Sequence, residues 1–228
     1  MLTTPGFPAG TLDDEGCPVW TTSLYGPDHL MFYLVRDLEP AAALEVLGAD
    51  PARAVPCALP AEAPAELDTR SLPATVLDSE AETVLLAGRV RGWTFVMDDA
   101  NTTDDLGDDP AAALSAATPG PAVSLHIDIN ALNRLCYAED GEPVFETDFD
   151  NVESDVAELP ADAPAVVRAA IDAAGNLDEL IEDDEDDDED YSDRRDHAFL
   201  DRLACALAGA NWTYDELRAA DLIAVELD

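Results

Sequence analysis

The sequence predicts an α+β protein built on a largely antiparallel sheet with helices packed against it, and three observations carry that prediction. Between Ala122 and Phe149 the chain reads as a three-strand meander, in which Val123, Leu125, Ile127 and Ile129 alternate with Ser124, His126, Asp128 and Asn130. A period of two marks a strand with one buried face and one wet face. The second and third strands, Leu135–Ala138 and Val144–Phe149, are joined through Glu139-Asp140-Gly141-Glu142. Asp-Gly supplies the positive φ angles that a tight hairpin turn needs. The third observation is a set of short apolar segments, on both sides of the meander, that carry helix start and stop signals.

The first 28 residues are rich in Thr, Pro and Gly and predict an irregular lead-in with a short strand at Val19–Leu24. Leu30–Val35 is a compact apolar run with aromatic side chains, the pattern of a buried strand. Asp37-Leu38-Glu39-Pro40 signals a helix start, with Asp37 as the cap and Pro40 close to the first helical position. That helix covers Ala41–Leu47, and Gly48 ends it in the left-handed conformation. Five prolines (Pro51, Pro56, Pro60, Pro64 and Pro73) exclude a long helix or a central strand between Asp50 and Leu77, leaving a connector with brief regular pieces.

Thr83–Leu86 and Val90–Met97 read as two strands or one broken strand, since Gly88 and Gly92 each mark a bend or a close backbone approach. Trp93, Phe95 and Met97 share a face and are core material. Asp109-Pro110 opens a short helix over Ala111–Ala117, which Pro119-Gly120-Pro121 stops ahead of the meander. Pro160–Ala174 aligns Val166, Val167, Ala170, Ile171 and Ala174 on one helical face, and Gly175-Asn176 closes it. His197–Leu207 is amphipathic through Phe199, Leu200, Leu203, Ala204 and Leu207. Thr213-Tyr214-Asp215-Glu216 fits a capping box for a last short helix to Ala220, and Leu222–Leu227 finishes as a strand.

A chain of 228 residues buries a real core. The patterns divide it into the lead-in 1–28, an α+β core 29–176, an acidic exposed or disordered run 177–193, and a helical segment 194–228 that packs back on the core. Formal net charge is −40, from 51 acidic residues against 11 basic ones, and every basic residue is Arg. The imbalance is not one tail: residues 1–176 carry 32 acids and 7 Arg, and residues 177–228 carry 19 and 4. A field of this sign repels nucleic acid and anionic membrane and favours a basic protein partner. A GC-rich genome or a high-salt cytoplasm gives the same bias without a partner.

Cys17, Cys57, Cys136 and Cys205 form no C-x-x-C pair, and the first ten residues lack both a basic start and an apolar run. No apolar stretch reaches the roughly eighteen residues of a membrane helix. The expected location is therefore the cytoplasm, with reduced thiols.

Candidate chemistry is sparse. Ser124, His126 and Asp128 are the residue types of a nucleophile, a base and an orienter, but strand neighbours two apart stand about 7 Å from each other and run side by side. The bland alternative is a solvated polar face. Zinc ligation has His29, His126, His197 and the four Cys to draw on, none paired at ligand spacing. Asp98–Asp109 holds six Asp and one Asn but offers no register with the Gly and Glu of a calcium loop, so it reads as a solvated loop. Arg89 and Arg91 flank Val90 and are expected to neutralise nearby acids. The candidate interaction residues are Glu182, Asp183, Asp184, Glu185, Asp186, Asp187, Asp188, Glu189 and Asp190, nine acids in succession.

Several local motifs, in their order, give the chain a likeness. They are Met31-Phe32-Tyr33-Leu34-Val35-Arg36-Asp37-Leu38-Glu39-Pro40 running on to Leu47-Gly48, Ala87-Gly88 with Gly92-Trp93-Thr94, and Ala113-Leu114-Ser115-Ala116. Tyr137-Ala138-Glu139-Asp140-Gly141 and the closing helices around Leu203 and Glu216-Leu217 complete the series. Over residues 29–149 and 197–228 the chain resembles an uncharacterised family common in high-GC Gram-positive bacteria. That resemblance implies the fold outline and a cytosolic location, and no activity. The Pro-rich connector and the acidic insert at 182–190 depart from the family pattern.

The function expected from charge and from the lack of a catalytic constellation is that of a non-enzymatic acidic interaction protein, such as an immunity-like or regulatory inhibitor of a basic partner. No cofactor is expected. Two alternatives stand beside it. One is a DNA mimic whose carboxylate rows inhibit a nuclease or repressor. The other is an enzyme with a pocket gathering His126, an Arg and several carboxylates.

Overall fold

The computed structural model describes residues 2–24, 30–63, 72–77, 83–98, 103, 110–127, 133–148, 163–175 and 189–227. Eight strands form one sheet: β1 Leu30–Arg36, β2 Val55–Cys57, β3 Thr83–Val90, β4 Trp93–Asp98, β5 Ala122–Ile127, β6 Asn133–Glu139, β7 Glu142–Asp148 and β8 Leu222–Leu227. Their order across the sheet is β2-β8-β3-β4-β1-β5-β6-β7, and every pairing is antiparallel. The helices are α1 Val19–Thr22, α2 Pro40–Val46, α3 Leu72–Leu77, α4 Pro110–Ala116, α5 Ala165–Ala174, α6 Glu189–Ala208 and α7 Tyr214–Arg218, with a 3-10 turn at Pro51–Arg53. The α+β class and the antiparallel sheet are thus as the sequence predicts.

β1 sits between β4 and β5, and its unbroken apolar run follows from burial on both faces. Phe32 and Leu34 join the larger core with Phe95, Val123, Leu125 and the α6 residues Phe199, Leu200 and Leu203. Met31, Tyr33 and Val35 join a second core, where Ala43, Leu44 and Leu47 from α2 and Ala111 and Leu114 from α4 cover the opposite face. The alternation in β5 therefore does not mean one wet face. Ser124 and His126 are each only 7% exposed, because this face too is covered.

The β3–β4 and β6–β7 hairpins close on the same turn chemistry. Arg91-Gly92 joins β3 to β4 with φ of 49° and 84°, and Asp140-Gly141 joins β6 to β7 with 52° and 84°. Positive φ at both central residues is the type I′ pattern, whose twist matches that of the flanking strands. The break at Gly92 is thus a true turn between two strands. Gly88 lies inside β3, where a side chain would meet the Phe95 ring and Leu222.

Several local expectations are corrected. Val19–Thr22 is helical rather than extended, and Pro18 at its N-cap presets the entry. The lead-in is no bystander: Phe7, Leu12, Trp20 and Leu24 are buried in the larger core, where a Phe or Leu contributes about 1.5–3 kcal/mol. Asp37 does not cap α2. Glu39 is the N-cap, without a side-chain hydrogen bond, and Pro40 follows it. Asp37 instead turns the chain after β1 at φ 57°, donating its N–H to the Gly92 carbonyl. The last long helix starts at Glu189, before the expected Arg194.

Other signals hold as read. Gly48 (φ 86°) ends α2, and Gly175 (φ 84°) ends α5. Pro56 lies in β2 at the sheet edge, where a missing N–H is tolerated. Thr213 and Glu216 form both halves of the capping box that starts α7.

Candidate functional site

The acidic residues Glu182, Asp183, Asp184, Glu185, Asp186, Asp187 and Asp188 lie outside the described residues, as do His29, Asp128 and most of the 98–109 loop. Glu189 and Asp190 are the first two residues of α6.

What the structure assembles is a row of polar residues on the second face of the sheet. Register places His126 between Met31 and Arg134, and in the next row Ser124 between Tyr33 and Cys136. Directly opposed residues of an antiparallel ladder stand about 4.5–5.5 Å apart at Cα. Sequence reasoning placed Ser124 and His126 on one face, and the structure confirms it. It did not reveal Arg134 beside His126, because that neighbour is set by the β5–β6 register.

At the same end of the sheet Asp98 is fully buried and held by Thr103, whose backbone N–H and hydroxyl both donate to Asp98 Oδ2 at 2.8 and 2.6 Å. Having given its one hydrogen to Asp98, Thr103 Oγ1 accepts from the Tyr33 hydroxyl at 2.5 Å. Tyr33 and Asp98 are thereby joined by a directed chain of hydrogen bonds under the β1–β4 pair. Thr103 Oγ1 also lies 3.9 Å from the Met31 sulfur, next to His126.

A second buried cluster lies on the opposite face. On α6, Asp201 meets Thr21 of α1 at 2.5 Å and the Cys205 thiol at 3.5 Å. Arg202 is 1% exposed, with Nε donating to the Ala174 carbonyl at 2.8 Å and a terminal nitrogen to the Gly16 carbonyl at 2.6 Å. Desolvation lowers the Arg202 pKa to about 10. Arg202 thus fastens the N-terminal segment and the end of α5 to α6. The amphipathic pattern of α6 gave no sign of this, since two charged residues at consecutive positions normally mark a solvated face.

On the surface, arginines are matched by acids. Arg36 pairs with Asp37, Arg89 with Asp37 and Glu39, Arg91 with Glu216, and Arg218 with Asp215. The expected neutralisation by Arg89 and Arg91 is therefore observed, although Arg91 lies in the turn and not on the strand. Among the described residues no group of three or more His, Cys, Asp or Glu is arranged to hold a metal ion. No helix among them is long and apolar enough to cross a membrane.

Fold and site together define an α+β protein with an eight-stranded antiparallel sheet, helices on both faces and two buried carboxyl clusters. The chain belongs to a family of unknown function, DUF6461, whose profile matches residues 20–224. No curated protein matches it, and no solved structure does.

Proposed function

We propose that the protein is a non-enzymatic acidic interaction protein that covers a basic protein partner, in the manner of an immunity-like or regulatory inhibitor. The observation that supports this most is the pairing of Arg36, Arg89, Arg91 and Arg218 with carboxylates in a molecule whose net charge is −40. Such a surface steers basic partners over a Debye length of about 8–10 Å at ordinary ionic strength. The nine-acid run from Glu182 to Asp190 adds the densest local charge. The test is capture from native cytosol by the immobilised chain at low salt, alongside a variant with residues 182–190 changed to Asn and Gln. The reading expects a specific basic protein whose capture weakens as salt rises and falls in the variant. Recovery of no salt-sensitive partner would end it.

A second reading, a small-molecule or enzymatic site, draws support from the adjacency of His126 and Arg134 beside the Tyr33–Thr103–Asp98 chain. An Arg beside an imidazole suits a carboxylate or phosphate ligand. Thermal-shift screening of such compounds distinguishes the readings. A rise in Tm that His126→Gln abolishes supports the second, and equal behaviour of the two proteins removes it.

A further inference from the structure

Thr21 and Asp201 meet across 180 positions of sequence, and the hydrogen count at their contact is informative. The single hydroxyl hydrogen of Thr21 faces two acceptors: Asp201 Oδ2 at 2.5 Å and the Pro18 carbonyl at 2.7 Å. One O–H cannot serve both. The conflict disappears when the Asp201 carboxyl is neutral. Its own O–H then donates to Thr21 Oγ1, Thr21 donates to Pro18, and Asp201 Oδ1 accepts from the Cys205 thiol.

The surroundings favour that state. Asp201 is 2% exposed. The groups facing it are Asp13, Cys17 and Thr21 from the N-terminal segment, and Arg202 and Cys205 from its own helix. Arg202 is the cation among them, and its guanidinium is committed to the carbonyls of Ala174 and Gly16. A buried carboxylate without a dedicated counter-ion is costly, and proton uptake relieves it.

We propose that Asp201 stands in the folded protein as a neutral carboxylic acid, and that its ionisation is a proton-controlled latch between the N-terminal segment, residues 2–24, and α6. When the proton leaves, Thr21 turns its hydrogen to the carboxylate, the Pro18 carbonyl loses the hydroxyl, and a bare charge remains in a desolvated site. Burial pushes the Asp201 carboxyl up to about 7, against which the Thr21 and Cys205 contacts act only in part. In an opened segment the group returns to an ordinary value near 4. The folded value lies above the open one, so the latch is fully held below about pH 4, weakens as pH rises towards about 7, and levels off beyond.

Amide hydrogen exchange of residues 2–24 in the full chain, corrected for the intrinsic pH dependence of exchange, tests this against D201N. The Asn amide donates to Thr21 and accepts from Cys205 at every pH. Relative to D201N, opening of the wild-type segment is expected to become about tenfold easier per pH unit between about pH 5 and pH 7, with no further change above. The carboxyl carbon of Asp201 should titrate near neutrality in the wild type by NMR. Parallel exchange profiles in the two proteins, or an Asp201 signal already ionised at about pH 5, would overturn the proposal. If D201N does not fold, the wild-type carbon titration decides alone.

Discussion

Gly88 lies directly opposite Phe95 in the β3–β4 ladder, and the ring fills the space where a side chain on Gly88 would begin. A Cβ there would come within 2.8 Å of two Phe95 ring carbons and also strike Leu222 of β8. Gly88→Ala is therefore expected to destabilise the fold by about 1–3 kcal/mol, since the buried ring already packs against Trp20 and Trp212. Urea denaturation monitored by circular dichroism checks this. A neutral result would show that the ring has room to move.

Tyr33→Phe removes the donor to Thr103, at an expected cost of about 0.5–1.5 kcal/mol. Asp98→Ala should cost more, about 2–4 kcal/mol, because it strands the buried N–H of Thr103 and takes away the acceptor of its hydroxyl. The double variant should cost less than the sum, as members of one hydrogen-bond chain are coupled. Chemical denaturation of the four proteins measures the coupling.

Glu216 closes the α7 capping box and also receives Arg91. Burial raises its pKa, but the Thr213 N–H and the Arg91 guanidinium outweigh that, leaving the carboxyl below the ordinary Glu value. A lowered folded value means stabilisation that is present above the unfolded pKa and lost as pH falls through the folded one. Glu216→Ala should cost about 1 kcal/mol near neutrality, and the gap to wild type should close under acid. Thermal melts of both proteins across the acidic range provide the comparison.

The thiols should resist alkylation in the native state. Burial pushes Cys57 up to about 11, and burial together with Asp201 raises Cys17 and Cys205 well above the ordinary value. For Cys57 the two-unit rise means about a hundredfold less thiolate at mildly alkaline pH. Iodoacetamide labelling followed by mass spectrometry should show slow native modification and rapid modification of all four thiols in denaturant.

Trp20→Ala asks whether the N-terminal segment belongs to the core. Trp20 is fully buried, meets Phe32 edge-on and Trp212 at a tilt, and donates its indole N–H to the Ala210 carbonyl at 3.0 Å. Its loss should cost about 3–5 kcal/mol, far more than removal of a side chain from a loose lead-in. An equilibrium unfolding curve close to wild type would contradict the packing described.

Legibility in the sequence followed the range of the interaction. Asp140-Gly141 and Thr213 with Glu216 act within four residues, so turn and cap were readable from local chemistry alone. The helix at Val19–Thr22 was not, because four residues show too little of a 3.6 period to separate helix from strand. Ser124 and His126 misled in a different way. Polar residues in alternation normally face water, but here α4 and the Asp98–Thr103 corner belong to the covered face, and neither announces that contact in the strand's own sequence. Nor did the charged pair Asp201 and Arg202, whose partners Thr21 and Gly16 lie at the other end of the chain. The nine-acid run at 182–190 was the most conspicuous stretch to the eye, and its first seven residues lie outside the described residues.

The place of β8 has a consequence for biosynthesis. β2 hydrogen-bonds to β8, and β8 also completes the ladder on the free side of β3. In sequence β8 follows the other seven strands of the sheet, so Val55–Cys57 leaves the ribosome well before the strand it pairs with. Until Leu222–Leu227 emerges, the nascent molecule carries an open seam along β3, the place where a chaperone has the most to protect.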